Sequence, residues 1–169
     1  MSRRIIEKIN TNNSFCEVIK EIISNENILK MKENKQHIDI DCFEHCFVVS
    51  YYCYTIAEKF KLDKVSAARG AMLHDFFLNK KKHHLLTHGK TAYINASREF
   101  KLNDIERDMI ENHMWPLTIK FPQYKETYLL TIVDKYCAII EFFYSIHRRI
   151  IMNLKGRNLP LPNFEKQNS

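Results

Sequence analysis

The chain carries only three glycines in 169 residues. Glycine supplies the positive φ of tight hairpin turns and lets a backbone close on a phosphate. Three of them cannot serve the turns of a sandwich or a barrel, nor a glycine-rich nucleotide loop. All-β folds, P-loops and Rossmann units are therefore disfavoured, and an all-α chain of long helices is expected. Hydrophobic residues at 45% and charged residues at 27% are ordinary for a globular chain and far from a disordered composition. At about 150 residues per domain the length gives a single domain over 1–169. It is long enough to fold without a disulfide or a structural metal.

No run of about 18 apolar residues is present, so no transmembrane helix and no membrane partner are expected. The basic start, Met1 to Lys8, is not followed by the apolar stretch of a signal peptide. Five cysteines, an odd number without secretion, point to free thiols and a cytoplasmic location. The net charge of +6 suits a phosphate-bearing ligand or simple solubility, and does not choose between them.

Along the chain, residues 1–40 read as a helical N-terminal extension, broken near 25–27. Asp41 with Glu44 three residues on is a capping box opening a helix over about 41–60. On it Cys42, Cys46, Val49, Cys53 and Phe60 share one face at helical spacing. Asp63 caps a second helix over 63–76. The basic stretch 78–88 reads as a loop, and a third helix covers 90–100. Asn103 with Glu106 is another capping box; its helix, about 103–114, must end before Pro116. A connection with Pro122 leads to a long helix over 126–152. The tail, 156–169, is polar with two prolines and reads as loose. No convincing strand and no repeat is expected. The core therefore spans about 41–152.

The chemistry lies in histidines and aspartates. His74 and Asp75 are adjacent, late in an apolar helix, and Ala67, Gly70 and Ala71 before them are small, so a neighbouring backbone can approach. Burying such a pair is costly unless it is paired or ligated. His45 edges the apolar stripe of its helix, and Asp134 sits between Leu130 and Ala138 on an apolar face. His113 closes the helix of 103–114, and His88 begins the third helix. Each alone reads as a core or capping residue; such residues on five different helices read as a site. Imidazole and carboxylate together suit Fe, Mn, Zn or related ions.

The order His45, His74-Asp75, His88, His113, Asp134 resembles the HD superfamily of metal-dependent phosphohydrolases. Residues 70–75, Gly-Ala-Met-Leu-His-Asp, are similar to the family's signature helix. Segments 84–92, 110–118 and 133–137 resemble a subgroup of small bacterial members. The resemblance implies an all-α helical bundle with a metal site in its core. It implies that His45, His74, Asp75 and Asp134 hold one ion. His88 and His113 would hold a second, with Asp75 bridging. The cofactors implied are two divalent ions, with Fe or Mn ahead of Zn, Ni, Co and Mg. The pattern departs at Gly89, where relatives often carry proline, and at the three lysines after the His-Asp turn. These bear on substrate more than on metal.

The activity implied is hydrolysis of a nucleotide or other small phosphate ester by metal-activated hydroxide, with Asp75 and His84 in the catalytic set. Lys80, Lys81 and Lys82 would bind further phosphate, and a solvated loop is the competing reading. Two other classes compete: a diiron oxygenase on the same ligand type, and a non-catalytic metal or nucleotide sensor. Trp115-Pro116 reads as packing before it reads as a pocket wall, and His37 and His147 as surface residues. Cys42, Cys46 and Cys53 resemble half a zinc site but lack a second pair, so they read as core. The basic C-terminal end carries no nucleic-acid motif, so no specific nucleic acid is expected. Oligomeric state stays open.

Overall fold

The computed structural model describes residues 3–33, 35–37, 40–76 and 87–154. Among them are eight α-helices: α1 (Arg3–Asn10), α2 (Asn13–Ile23), α3 (Glu26–Leu29), α4 (Cys42–Lys59), α5 (Lys64–Leu73), α6 (His88–Glu99), α7 (Asp104–Asn112) and α8 (Lys125–Leu154). A 3-10 turn, Lys30–Glu33, follows α3. The fold is all-α, with one departure from the sequence reading. Strands β1 (Lys35–His37) and β2 (Ile40–Asp41) pair antiparallel as a short ribbon ahead of α4. Five residues of pairing are too few to leave a periodic signal in the sequence.

The capping residues set where the helices start. Asp41 Oδ1 accepts the Glu44 N–H at 2.8 Å. Asp63 accepts the N–H groups of Val65 and Ser66 at 3.0 and 3.1 Å. Asn103 and Glu106 form the full reciprocal box at 2.8 and 3.0 Å. Asn25 accepts from Asn27 and Ile28, which accounts for the break between α2 and α3. Such caps satisfy donors that a helix start leaves unpaired.

Two boundaries move. The second helix stops at Leu73 rather than near 76: His74 is its C-cap, and Asp75 and Phe76 follow in a turn. The third helix begins at His88 rather than 90. Phe60, assigned to the core stripe of α4, is the C-cap of that helix and is 66% exposed. At a helix end the chain leaves the axis, so the 3.6-residue count no longer fixes the direction of a side chain.

α4 and α5 pack most extensively, with α7 against α5 and α8 against α4, while α6 lies on α7. α1 packs on α4 and α2 on α5. The core joins Phe15, Ile19 and Ile22 of α2 to Val48 and Val49 of α4, Met72 of α5 and Met109 of α7. Phe15 meets Phe47 and Tyr51 edge-on, with centroids 5.8 and 5.3 Å apart. The small residues ahead of His74 do admit a neighbour. At Gly70 it is a side chain, not a backbone: a Cβ there would lie 2.8 Å from Met109 Sδ. Backbone approach occurs instead at Gly89, where a Cβ would run into the Glu111 carbonyl oxygen. Only glycine lets the start of α6 lie against the end of α7, which gives a packing reason for the residue that departs from the family pattern.

Candidate functional site

Three helix ends and two helix faces bring the sequence-selected residues together. His74 and Asp75 leave the C-terminal end of α5, His113 is the C-cap of α7 and His88 opens α6. His45 lies in the first turns of α4 and Asp134 a third of the way along α8. The turn after α5 is tied down twice. Asn95 Nδ2 on α6 donates to the Phe76 carbonyl at 2.9 Å, and the Cys42 thiol donates to the Asp75 carbonyl at 3.4 Å.

His45 Nε2 lies 3.0 Å from Asp134 Oδ1, and His74 Nε2 lies 3.5 Å from the same oxygen. Asp75 divides its carboxylate. Its Oδ2 faces His74 Nε2 at 3.7 Å, whereas its Oδ1 faces His88 Nε2 at 2.6 Å and His113 Nε2 at 3.6 Å. Two groups could each hold an ion: His45, His74 and Asp134, and His74, Asp75 and His113. All six residues singled out as ligands therefore converge. The side chains of His45, His74, His113 and Asp75 are at most 3% exposed, whereas Asp134 is 16% and His88 21% exposed. The cluster opens to solvent on the side of those two residues.

The ring tautomers follow from the backbone. His74 Nδ1–H donates to the Ala71 carbonyl at 2.7 Å, and His113 Nδ1–H donates to the Ile110 carbonyl at 2.9 Å. In each ring Nε2 is left to face carboxylate oxygen. His74 Nε2 is buried without a hydrogen-bond partner. A buried nitrogen lone pair pointed at two carboxylates calls for a proton or a cation between them. Imidazole nitrogen and carboxylate oxygen are the donors that first-row divalent metals take, so these residues fit such an ion.

Charges in the cluster are strongly coupled. Burial works against charge on His45, but hydrogen bonds to Asp134 and Glu141 hold its pKa well above the ordinary value. Burial opposes charge on His74 too, and Asp75 and Asp134 outweigh it upwards. Burial would raise the Asp75 carboxyl, but His74, His88 and His113 hold it well below the usual range. Asp134 is likewise depressed by His45 and His74 against the cost of its burial. His113 behaves oppositely: burial, with His74 beside it, pushes it down to about 4.

One functional residue escaped the sequence reading. Glu141 is 1% exposed and accepts from His45 Nδ1 at 3.0 Å. It stands two turns after Asp134 on α8, so both carboxylates grip one imidazole from opposite ring nitrogens. The available signal was a second acid, seven residues on, in the same inward stripe. A carboxylate behind a ligating histidine fixes the ring and raises its basicity.

The remaining residues separate cleanly. Lys80, Lys81, Lys82, His83 and His84 lie outside the described residues, as do the tail and most of the basic loop. His147 is exposed. Trp115 packs edge-on against Tyr128 with centroids 5.5 Å apart. Cys42, Cys46, Cys53 and Cys137 are buried free thiols, and no cysteine belongs to a metal-holding group among the described residues. Burial pushes the Cys46 and Cys53 thiols up, and Cys137 to about 12, so they pack as neutral groups. Lys135 turns away from Asp134, and its Nζ donates to the His113 carbonyl at 3.4 Å. Among the described residues no helix is long and apolar enough to cross a membrane.

The family model described as HD domain matches residues 42–139, from the first residue of α4 to the middle of α8. No curated protein and no solved structure matches the chain.

Proposed function

The chain belongs to the HD-domain family, and on that premise we propose that it hydrolyses a nucleotide or other small phosphate ester. The family is generally one of metal-dependent hydrolases. The observation that carries the proposal is the divided carboxylate of Asp75, one oxygen toward His74 and the other toward His88 and His113. That division suits a bridging ligand between two cations. His45, His74 and Asp134 would complete the first position, and His88 and His113 the second. When bound, the two ions supply a water activated at neutral pH and neutralise phosphoryl oxygens.

The protein's own groups do the rest. Glu141 holds His45 Nδ1–H and so directs Nε2 into the cluster. The Ala71 and Ile110 carbonyls do the same for His74 and His113. Asp75 and Asp134 arrive ionised, so neither must shed a proton to ligate. The solvent-facing edge at His88 and Asp134 is where a phosphate would enter. In the reaction water adds to phosphorus, the P–O bond to the leaving group breaks, and the leaving oxygen takes a proton. We assign that proton to His84 and further phosphate contacts to Lys80, Lys81 and Lys82, which follow the Asp75 turn in sequence.

The test is elemental analysis of the purified chain joined to a panel of phosphate esters, each run with and without oxygen. Two divalent ions per chain and phosphate release that is indifferent to oxygen are expected. Oxygen uptake coupled to substrate loss, with no ester cleaved, would replace this reading with a diiron oxygenase. Turnover of neither kind would leave a sensor.

A further inference from the structure

We infer that the outer face of α8 is the interface of a two-fold homodimer. The face turned inward carries Leu130, Val133, Cys137, Glu141 and Ser145, all buried. The opposite face should be polar if it met only water. Instead it reads Ile132, Tyr136, Ile139, Phe143, Ile146 and Ile150, at alternating spacings of four and three residues. That is the a/d alternation of a helix that pairs along its length with another helix. Five of the six are 53–68% exposed, and Ile146 is half-buried.

The area is sufficient for a stable pair. Side chains of this size offer up to roughly 200 Å² each, so half-exposed ones leave roughly 100 Å² apiece. Six of them with their flanking neighbours come to about 800 Å² per protomer, the share each partner gives to a standard interface. Monomers rarely leave a contiguous apolar patch of that size in water.

The charges of α8 permit a second copy to meet this face. The three acids of α8 are Glu126, Asp134 and Glu141, and none belongs to the seam. Glu126 and Glu141 are buried, and Asp134 points into the ligand cluster. The seam's flanks carry Lys135 and Arg149 without an acid. Lys135 is turned inward, its Nζ donating to the His113 carbonyl at 3.4 Å, so two copies meet through apolar side chains with no carboxylate buried between them. Because the contact is self-complementary it closes as a dimer. The dimer would brace, from behind, the helix that carries Asp134 and Glu141.

Sedimentation equilibrium of the full chain is the test. A species of about twice 20.2 kDa is expected at micromolar concentration. Phe143→Glu and, separately, Ile139→Glu should each raise the dissociation constant on the order of a hundredfold or more, since symmetry introduces the charge twice. Both positions are exposed in the single chain, so circular dichroism should be unchanged. Phe60→Glu and Ile119→Glu, exposed elsewhere, should leave the dimer intact. A monomeric wild-type chain overturns the inference, whether residues 155–169 or another protein covers the seam. A dimer that survives both seam substitutions overturns the surface.

Discussion

His45 meets a carboxylate at each ring nitrogen, Asp134 on one side and Glu141 on the other. His113 meets one carboxylate, at 3.6 Å, and fixes its other nitrogen on a backbone carbonyl. The half of the cluster around His45 is thus charge-rich, and only Asp134 in it reaches solvent, 16% exposed. The half around His88 and His113 is partly open, with His88 21% exposed. Their electrostatics follow: His45 holds a proton firmly, whereas His113 is neutral above about 4. A carboxylate behind an imidazole makes a stronger ligand than a carbonyl does. The first position should therefore bind its ion tightly and the second should exchange.

The substitution with the largest expected effect removes the residue the halves share. Asp75→Ala takes a ligand from both positions, so both ions and all turnover should be lost. Metal loss can also loosen the fold, so circular dichroism accompanies elemental analysis. Retention of two ions would break the division of Asp75 between the halves.

His88→Ala tests the open half alone. One ion should remain in the His45 position, with kcat reduced by about a hundredfold or more. Loss of both ions would mean that the halves do not bind independently.

Much of this asymmetry could be read before the coordinates, and part could not. The low glycine count, Asp63 and the Asn103–Glu106 box located the helices because these are local effects of single residues on the backbone. The six clustered residues stand out because a histidine or an acid on an apolar face conflicts with its surroundings. Glu141 offers the same conflict. Its role stays hidden in the sequence because it supports another side chain 96 residues away, a contact that helix spacing does not encode. The end of α5 at Leu73 was also missed: residues 74–76 are fully buried and read as one more helical turn, yet tertiary packing diverts them. Helix boundaries yield to such packing because one turn of propensity is worth little.

Glu141→Gln keeps the shape behind His45 and removes the charge. Affinity at the first position should fall about 10–100-fold, with the second little changed. Equal losses at both would show that Glu141 acts on the whole cluster rather than through His45.

The smallest effect, and the most discriminating, is that of pH. A metal ion must displace whatever proton a ligand holds. The imidazoles of the first position, His45 and His74, are held above their ordinary value, so near neutrality the ion-free cluster retains at least one proton there. Binding at that position releases it, and affinity should fall about tenfold for each unit the pH drops between 7 and 6. His113 is already neutral in that window because its pKa lies near 4, and Asp75 is already ionised. Neither gives up a proton, so the contribution of these two ligands to the second position should be flat over the same unit. Titration calorimetry in two buffers of different ionisation enthalpy measures the protons released at each step. A larger release at the second, weaker step than at the first would reverse the assignment of the two halves.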